Sequence, residues 1–308
     1  MGKISENRKI RDYYKIFDVI RENPTLPIYD IAAQAKLSRN TVSKYLKEMY
    51  DQNILLGPCI RMKSSPNYME YIYLVNFQDP HEVFKRLKGF PHILYRAITF
   101  GDWNTLIITD RLMDISKLVG FEKLIHRGVK YCSYTLHEEF ILWDDYFVQA
   151  YSQLYEFNPS LTEDKIRQLS FPLEWGDDEW KLFHAFKNNL RTKVTPTLKK
   201  IKVRYEMYSK WHENYLKNCT IHTGFYPHGY DTYSSHCLLI YTDYERTLKS
   251  LFTSFPTTPY IMESGKELLL FINTNTPHTN RALISLLYDM KSKEIIKKFH
   301  HAVVMYYQ

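Results

Sequence analysis

Glycine is scarce in this chain of 308 residues, at 10, and no Gly-x-x-x-x-Gly-Lys or Gly-x-Gly-x-x-Gly run occurs. This argues against a phosphate-cradling loop, which needs glycine where the backbone closes on an anion. The four cysteines, Cys59, Cys132, Cys219 and Cys237, are scattered and form no Cys-x-x-Cys pair. They exclude a disulfide framework and a zinc ribbon, and they fit a reducing cytoplasm. No run reaches the roughly 18 consecutive apolar residues of a membrane-spanning helix. The opening, MGKISENRKI, lacks the apolar core of a secretory signal. The 12 histidines include no His-Glu-x-x-His spacing. His300 and His301 are adjacent in an expected strand and so would point to opposite faces. His222 and His228 flank a Gly-containing loop with no carboxylate near them in sequence. No metal, cofactor or catalytic group is expected from these residues, and the chain reads as a non-enzyme.

What is present is ordinary for a globular chain: 44% hydrophobic and 24% charged residues, enough length for two or more domains, and 26 tyrosines that suit sheet packing or groove contacts. The net charge of +7 is unevenly distributed. Residues 1–65 carry 12 Lys/Arg against 7 Asp/Glu, residues 66–177 carry 11 against 16, and residues 180–230 carry 10 against 2. Two basic stretches around an acidic one form the electrostatic footprint of a polyanion binder with two contact regions; solvated helix faces would give a similar count.

In the first basic stretch, Ile10, Tyr13, Tyr14, Ile16, Phe17 and Ile20 fall at helical spacing, and Asn23-Pro24 stops that helix. Pro27 opens a second helix to about Ala35, burying Ile28, Ile31 and Ala32. After Lys36-Leu37, Ser38 suits the N-cap of a third helix over 39–52, with Val42, Tyr45, Leu46 and Met49 as its apolar stripe. Asn53-Ile54-Leu55 then begins an extended stretch to Met62 that reads as a β-wing. The pattern predicts a winged helix-turn-helix. Its third helix exposes Arg39, Asn40, Thr41, Ser43, Lys44 and Lys47 behind Ser38, groups suited to base edges and phosphates in a major groove, with Arg61 and Lys63 of the wing on phosphates. A three-helix module with a polar outer face can also serve protein contacts.

Tyr14-Lys15-Ile16-Phe17, Ile31-Ala32, Lys36 to Val42 and Asn53-Ile54-Leu55 resemble the N-terminal domain of the leucine-responsive (Lrp/AsnC, feast/famine) transcriptional regulators. That family usually has Gly where Lys36 stands, and Gly-Val-Ile before the wing. Over residues 66–150, strands at 71–77, 93–100, 103–109 and 129–136, with helices at 80–87 and 114–127 (the latter capped by Gly128), give the order β-α-β-β-α-β. This is a ferredoxin-like arrangement, and the resemblance makes it the effector-binding and dimerising domain. It also implies an amino-acid-like effector near Gly101, Asp102 and Asn104, on the hairpin between the second and third strands; the same residues suit a plain turn.

The second half repeats the first. Trp180-Lys181-Leu182-Phe183 follows Tyr14-Lys15-Ile16-Phe17 at a spacing of 166 residues, as do Asn189 after Asn23, Val203 after Leu37 and Ser209-Lys210-Trp211 after Ser43-Lys44-Tyr45. A linker over 151–177, with Pro159, Pro172 and an amphipathic Asp164-Lys165-Ile166-Arg167, would precede a divergent winged helix over 178–230 and a second ferredoxin-like domain over 231–308. The divergent copy lacks the Ser-Arg-Asn-Thr start, and its Lys199, Lys200, Lys202, Arg204 and Lys210 suit phosphate contact without base readout. The fold expected is therefore α+β, with two winged helix-turn-helix domains and two ferredoxin-like domains in a duplicated chain. The function expected is a cytoplasmic, sequence-specific regulator on double-stranded DNA, working as an intramolecular pseudo-dimer or a homodimer. Siroheme decarboxylases are similar to Lrp/AsnC regulators in both domains and act as paired or fused halves, so a fused enzyme of that kind is the alternative, alongside a protein-interaction module.

Overall fold

The computed structural model describes residues 2–136, 139–158 and 167–308, with side chains from residue 7 onward. Pro159 and the Asp164-Lys165-Ile166 part of the expected linker lie outside the described residues. In chain order the elements are α1 (Gly2–Glu22), α2 (Ile28–Ala35), α3 (Arg39–Asp51), β1 (Leu55–Met62), β2 (Glu70–Phe77), α4 (Pro80–Arg86), β3 (Ile93–Gly101), β4 (Thr105–Thr109) and β5 (Phe121–Thr135). Then come α5 (Trp143–Glu156), α6 (Asp177–Phe186), α7 (Val194–Ile201), α8 (Tyr205–Asn214), β6 (Cys219–Phe225), β7 (Ser234–Tyr241), α9 (Glu245–Thr253), β8 (Tyr260–Ser264), β9 (Glu267–Thr274), α10 (Pro277–Ser292) and β10 (Lys298–Tyr307). The chain forms two compact units, and each draws on both halves of the sequence: residues 1–62 with 174–232, and residues 63–173 with 233–308. Among the described residues no helix is long and apolar enough to cross a membrane.

The first unit contains two helical triads. In α1, Tyr13, Ile16, Phe17 and Ile20 recur at helical spacing and are buried, opposite Ile31 and Ala32 of α2 and Val42, Leu46 and Met49 of α3. Lys36 ends α2 in the left-handed conformation, φ 54° and ψ 43°, and Lys202 ends α7 at φ 56° and ψ 42°. A side chain there costs roughly 1–2 kcal/mol, so both triads keep the same sharp turn against its local penalty. The expected wing does not fold back on itself. β1 pairs antiparallel with β6, Leu55 opposite Phe225 and Met62 opposite Cys219. Residues 219–225, which overlap the Gly-containing loop expected between His222 and His228, are a strand because β1 presents an open edge and Phe225 stacks on Phe17 at 5.2 Å.

In the second unit the two expected sheets do not stand apart. Eight strands close into one barrel in the order β10-β3-β4-β2-β5-β8-β9-β7. Counted by order of appearance in their own half, the strands lie second, third, first, fourth, twice over. The outer strands of each run, which would otherwise be open edges, pair with the other half: β3 with β10, and β5 with β8. Ile72, Leu74, Leu106 and Ile108 pack with Leu239, Met262, Leu269 and Phe271 in one core drawn from both halves. The second half carries α9 and α10, as expected. In the first half α4 forms as expected, but the helix expected over 114–127 is a single 3-10 turn, Ile115–Lys117, followed by β5. Gly120, at φ +78°, breaks the helix, and register shifts between Leu74/Val75 and between Asn76/Phe77 of the partner strand disturb the period-two pattern that would have marked β5. Gly128 is a mid-strand residue whose missing Cβ leaves room for Ser264 Oγ and His126 Nε2, 2.6 and 2.8 Å from that position. The start of the expected linker instead continues α5, whose Tyr146, Phe147, Ala150 and Leu154 pack with Leu251, Phe252 and Phe255.

Candidate nucleic-acid interface

Ser38 caps α3 by accepting the Thr41 N–H at 3.1 Å, and its Oγ lies 2.8 Å from Thr41 Oγ1. This cap fixes where the helix begins and so which residues its first turn presents. Burial of Val42, Leu46 and Met49 turns Arg39, Asn40, Ser43, Lys44 and Lys47 outward, all exposed, with Thr41 half-buried. Glu48, close to this face, is ion-paired with Lys9 of α1. The Lys9 ammonium holds the Glu48 carboxyl below its ordinary range, while the carboxylate raises the Lys9 ammonium. Glu48 is thus paired with Lys9, and Lys44 is near enough to add to its lowering. Beneath them burial pushes the Tyr13 phenol up to about 12, so it remains neutral.

Arg61 does not sit on a free wing. It lies in the β1–β6 ribbon with Nη1 donating to the carbonyls of Ile60 and Lys187 at 2.8 and 3.1 Å. Lys63 follows β1, half-buried. In the second triad Lys199 and Lys200 end α7, Lys202 is the left-handed turn, Arg204 precedes α8 and Lys210 lies within it; all five are exposed. Arg204 makes no side-chain cap of the kind Ser38 makes. Below the turn is an aromatic cluster in which Trp211 packs on Tyr215 at 5.0 Å and on Phe186 at 6.1 Å. An open groove of about 530 Å³ runs between α6 and α7, lined by Asp177, Trp180, Lys181, His184, Ala185 and Ile201.

In the second unit Gly101, Asp102 and Asn104 lie together at the β3–β4 turn, with their polar groups already engaged. A Cβ on Gly101 would lie 2.3 Å from the His301 carbonyl oxygen. The Asp102 carboxylate accepts the His301 N–H at 2.9 Å. The Asn104 amide accepts from the Phe77 N–H at 3.0 Å and donates to the Phe77 carbonyl at 2.7 Å. These residues join the turn to β10 and β2.

Sequence reading assigned no role to several polar groups that the barrel brings together. His236 and His301 stack with ring centroids 5.2 Å apart, and His236 Nδ1 lies 3.0 Å from His301 Nε2. His126 Nε2 lies 2.7 Å from Ser264 Oγ, and the buried Lys130 ammonium pairs with Glu70. Each joins residues far apart in the chain, so no local motif could have announced it. Among the described residues no group of three or more His, Cys, Asp or Glu is arranged to hold a metal ion.

The sequence profile described as winged helix-turn-helix DNA-binding matches residues 14–55, and this N-terminal region is a winged helix-turn-helix. Among curated proteins none matches the chain by sequence. A solved structure similar along most of the chain is that of the siroheme decarboxylase NirDL: 11% identity over 96% of this chain and 91% of that one, with a TM-score of 0.41. AsnC of E. coli is 15% identical over 39% of this chain and 89% of its own, with a TM-score of 0.31. A transcriptional regulator of Neisseria meningitidis, solved with L-methionine, is 18% identical over 39% of this chain and 86% of its own, with a TM-score of 0.29. One expectation is corrected here. The sequence reads as a non-enzyme, but two solved structures that align with 96% of the chain are those of the siroheme decarboxylase NirDL, an enzyme.

Proposed function

We propose that this protein is a DNA-binding transcriptional regulator that reads sequence through α3. The observation that carries the proposal is the outward face of that helix: Arg39, Asn40, Ser43, Lys44 and Lys47 all exposed within the stretch that matches the winged helix-turn-helix profile. Arg and Asn are the side chains that pair bidentately with guanine and adenine edges, and the lysines neutralise phosphates. The chain is further proposed to be a tandem duplicate with two ferredoxin-like halves. Support comes from the repeated strand order, the 8-residue helices Ile28–Ala35 and Val194–Ile201, and the left-handed lysines that follow both. The test is a gel-shift titration of the full chain against genomic fragments at several salt concentrations. An Arg39→Ala, Lys44→Ala double variant should lose affinity, and unchanged binding by that variant would refute the proposal.

A second reading, an enzyme acting on a tetrapyrrole, has one specific observation in its favour: strands of both halves bring histidines together in two pairs, His236 with His301 and His126 with His300. Titration with iron-uroporphyrin III, followed by visible absorbance, tests it. Absence of a spectral change at saturating protein removes it.

A further inference from the structure

The two triads occupy corresponding places in one unit, joined by the β1–β6 ribbon, yet their outward helix faces carry opposite charge. On α3 the exposed stripe is Asn40, Lys44 and Lys47; on α8 the residues 166 positions later are Glu206, Lys210 and Glu213, also exposed. Those two glutamates are the only acids between residues 180 and 230, a stretch with 10 Lys/Arg, and both sit on this stripe. Where α3 begins with Arg39, α8 begins with Tyr205, 63% exposed. The cations instead lie at the preceding turn, on Lys199, Lys200, Lys202 and Arg204. A carboxylate pair facing a groove walled by phosphates is repelled, whereas a lysine-rich turn beside the groove is attracted.

We infer that the two triads have different jobs on one duplex: α3 enters the major groove and reads bases, while the α7–α8 turn grips backbone phosphates and α8 is kept out of the groove. The partner is then an asymmetric DNA site with one recognition block flanked by unread sequence, in place of two inverted copies of a block. The inference rests on the DNA-binding reading above and adds the form of the site.

Selection of bound duplexes from a random library by the full-length chain tests it. A single enriched block is expected, with hydroxyl-radical protection of the backbone extending beyond it on one side. Two enriched copies of the block would overturn the inference and leave the DNA-binding reading intact; no binding at all would overturn both. Two variants give an independent check. Lys199→Ala, Lys200→Ala, Lys202→Ala should weaken binding to the selected and to a scrambled duplex by the same factor, with each lost contact lowering the salt slope by about 0.9. Glu206→Asn, Glu213→Lys, which gives α8 the charges of α3, should tighten binding to scrambled duplex roughly tenfold. Unchanged affinity in either variant contradicts the inference.

Discussion

Acid should weaken the barrel through its buried imidazoles, and one substitution should remove a defined part of that effect. His236 is buried, with Nε2 2.9 Å from Thr274 Oγ1 and Nδ1 3.0 Å from His301 Nε2. The Thr274 hydroxyl donates to Asn280 Oδ1, so it must accept from His236, which fixes the proton on His236 Nε2 and leaves Nδ1 to accept from His301. A second proton on His236 would break this chain of donors. Burial, then the neighbouring His301, pushes its pKa from 6.5 down to about 4. Burial, then His300, pushes His126 down to about 4 as well. Below pH 6.5 the unfolded chain therefore binds protons that the folded chain refuses, and stability is lost as pH falls toward 4. Between pH 7.5 and 5.0 this amounts to about 2 kcal/mol for each imidazole. Urea-dependent hydrogen exchange, read by mass spectrometry on peptides from β7 and β10, isolates this unit from the helical one. His236→Gln keeps a donor toward Thr274 and cannot titrate. It should lose about 2 kcal/mol less than wild type between the two pH values. An equal loss in both proteins would refute the reasoning.

Two further outcomes follow from the barrel. Lys130→Met strands the buried Glu70 carboxylate and should cost ~3–5 kcal/mol in urea unfolding, while the double variant with Glu70→Leu recovers most of it. Gly101→Ala drives a Cβ against the His301 carbonyl, which cannot move without parting β3 from β10, so exchange at the amides of β10 should quicken while exchange in β6 is unchanged.

The helix-turn-helix was legible because its punctuation is local. Pro27, the Ser38 cap and the 3.6-residue recurrence of Ile16, Phe17 and Ile20, then Val42, Leu46 and Met49, each act within one or two turns of chain. The β-α-β-β-α-β order expected over 231–308 was legible for the same reason, as β7, α9, β8, β9, α10 and β10. The second part of β5 was legible as the strand expected over 129–136; its first part was not, since two register shifts scramble the alternation that identifies a strand, and Ile115, Leu118 and Val119 imitate a helix before Gly120. Barrel closure was invisible because a strand's edge does not name its partner: nothing in Ile93–Gly101 points to Lys298–Tyr307. Asn104 illustrates the limit of a resemblance. Sequence offered it as a turn residue or an effector position, and could not show that its amide pairs with the backbone of Phe77, 27 residues away. The charge contrast between the triads was already in the sequence, in the two lone acids Glu206 and Glu213, and gained meaning only when both were found on one exposed stripe.

The seam between β3 and β10 has a kinetic consequence. Ala97 pairs with Tyr307, and Gly101 with Ala302, across about two-thirds of the chain. Contacts of such long sequence separation form late and slowly, because the loop entropy must be lost before any pairing compensates it. On the ribosome, β2 to β5 emerge well before the strands that cover their flanks, leaving the outer edges of β3 and β5 open to any passing strand. The barrel is therefore at greatest risk of aggregation while half made, and a chaperone that shields those two edges until β8 and β10 arrive would raise its yield more than any increase in its final stability.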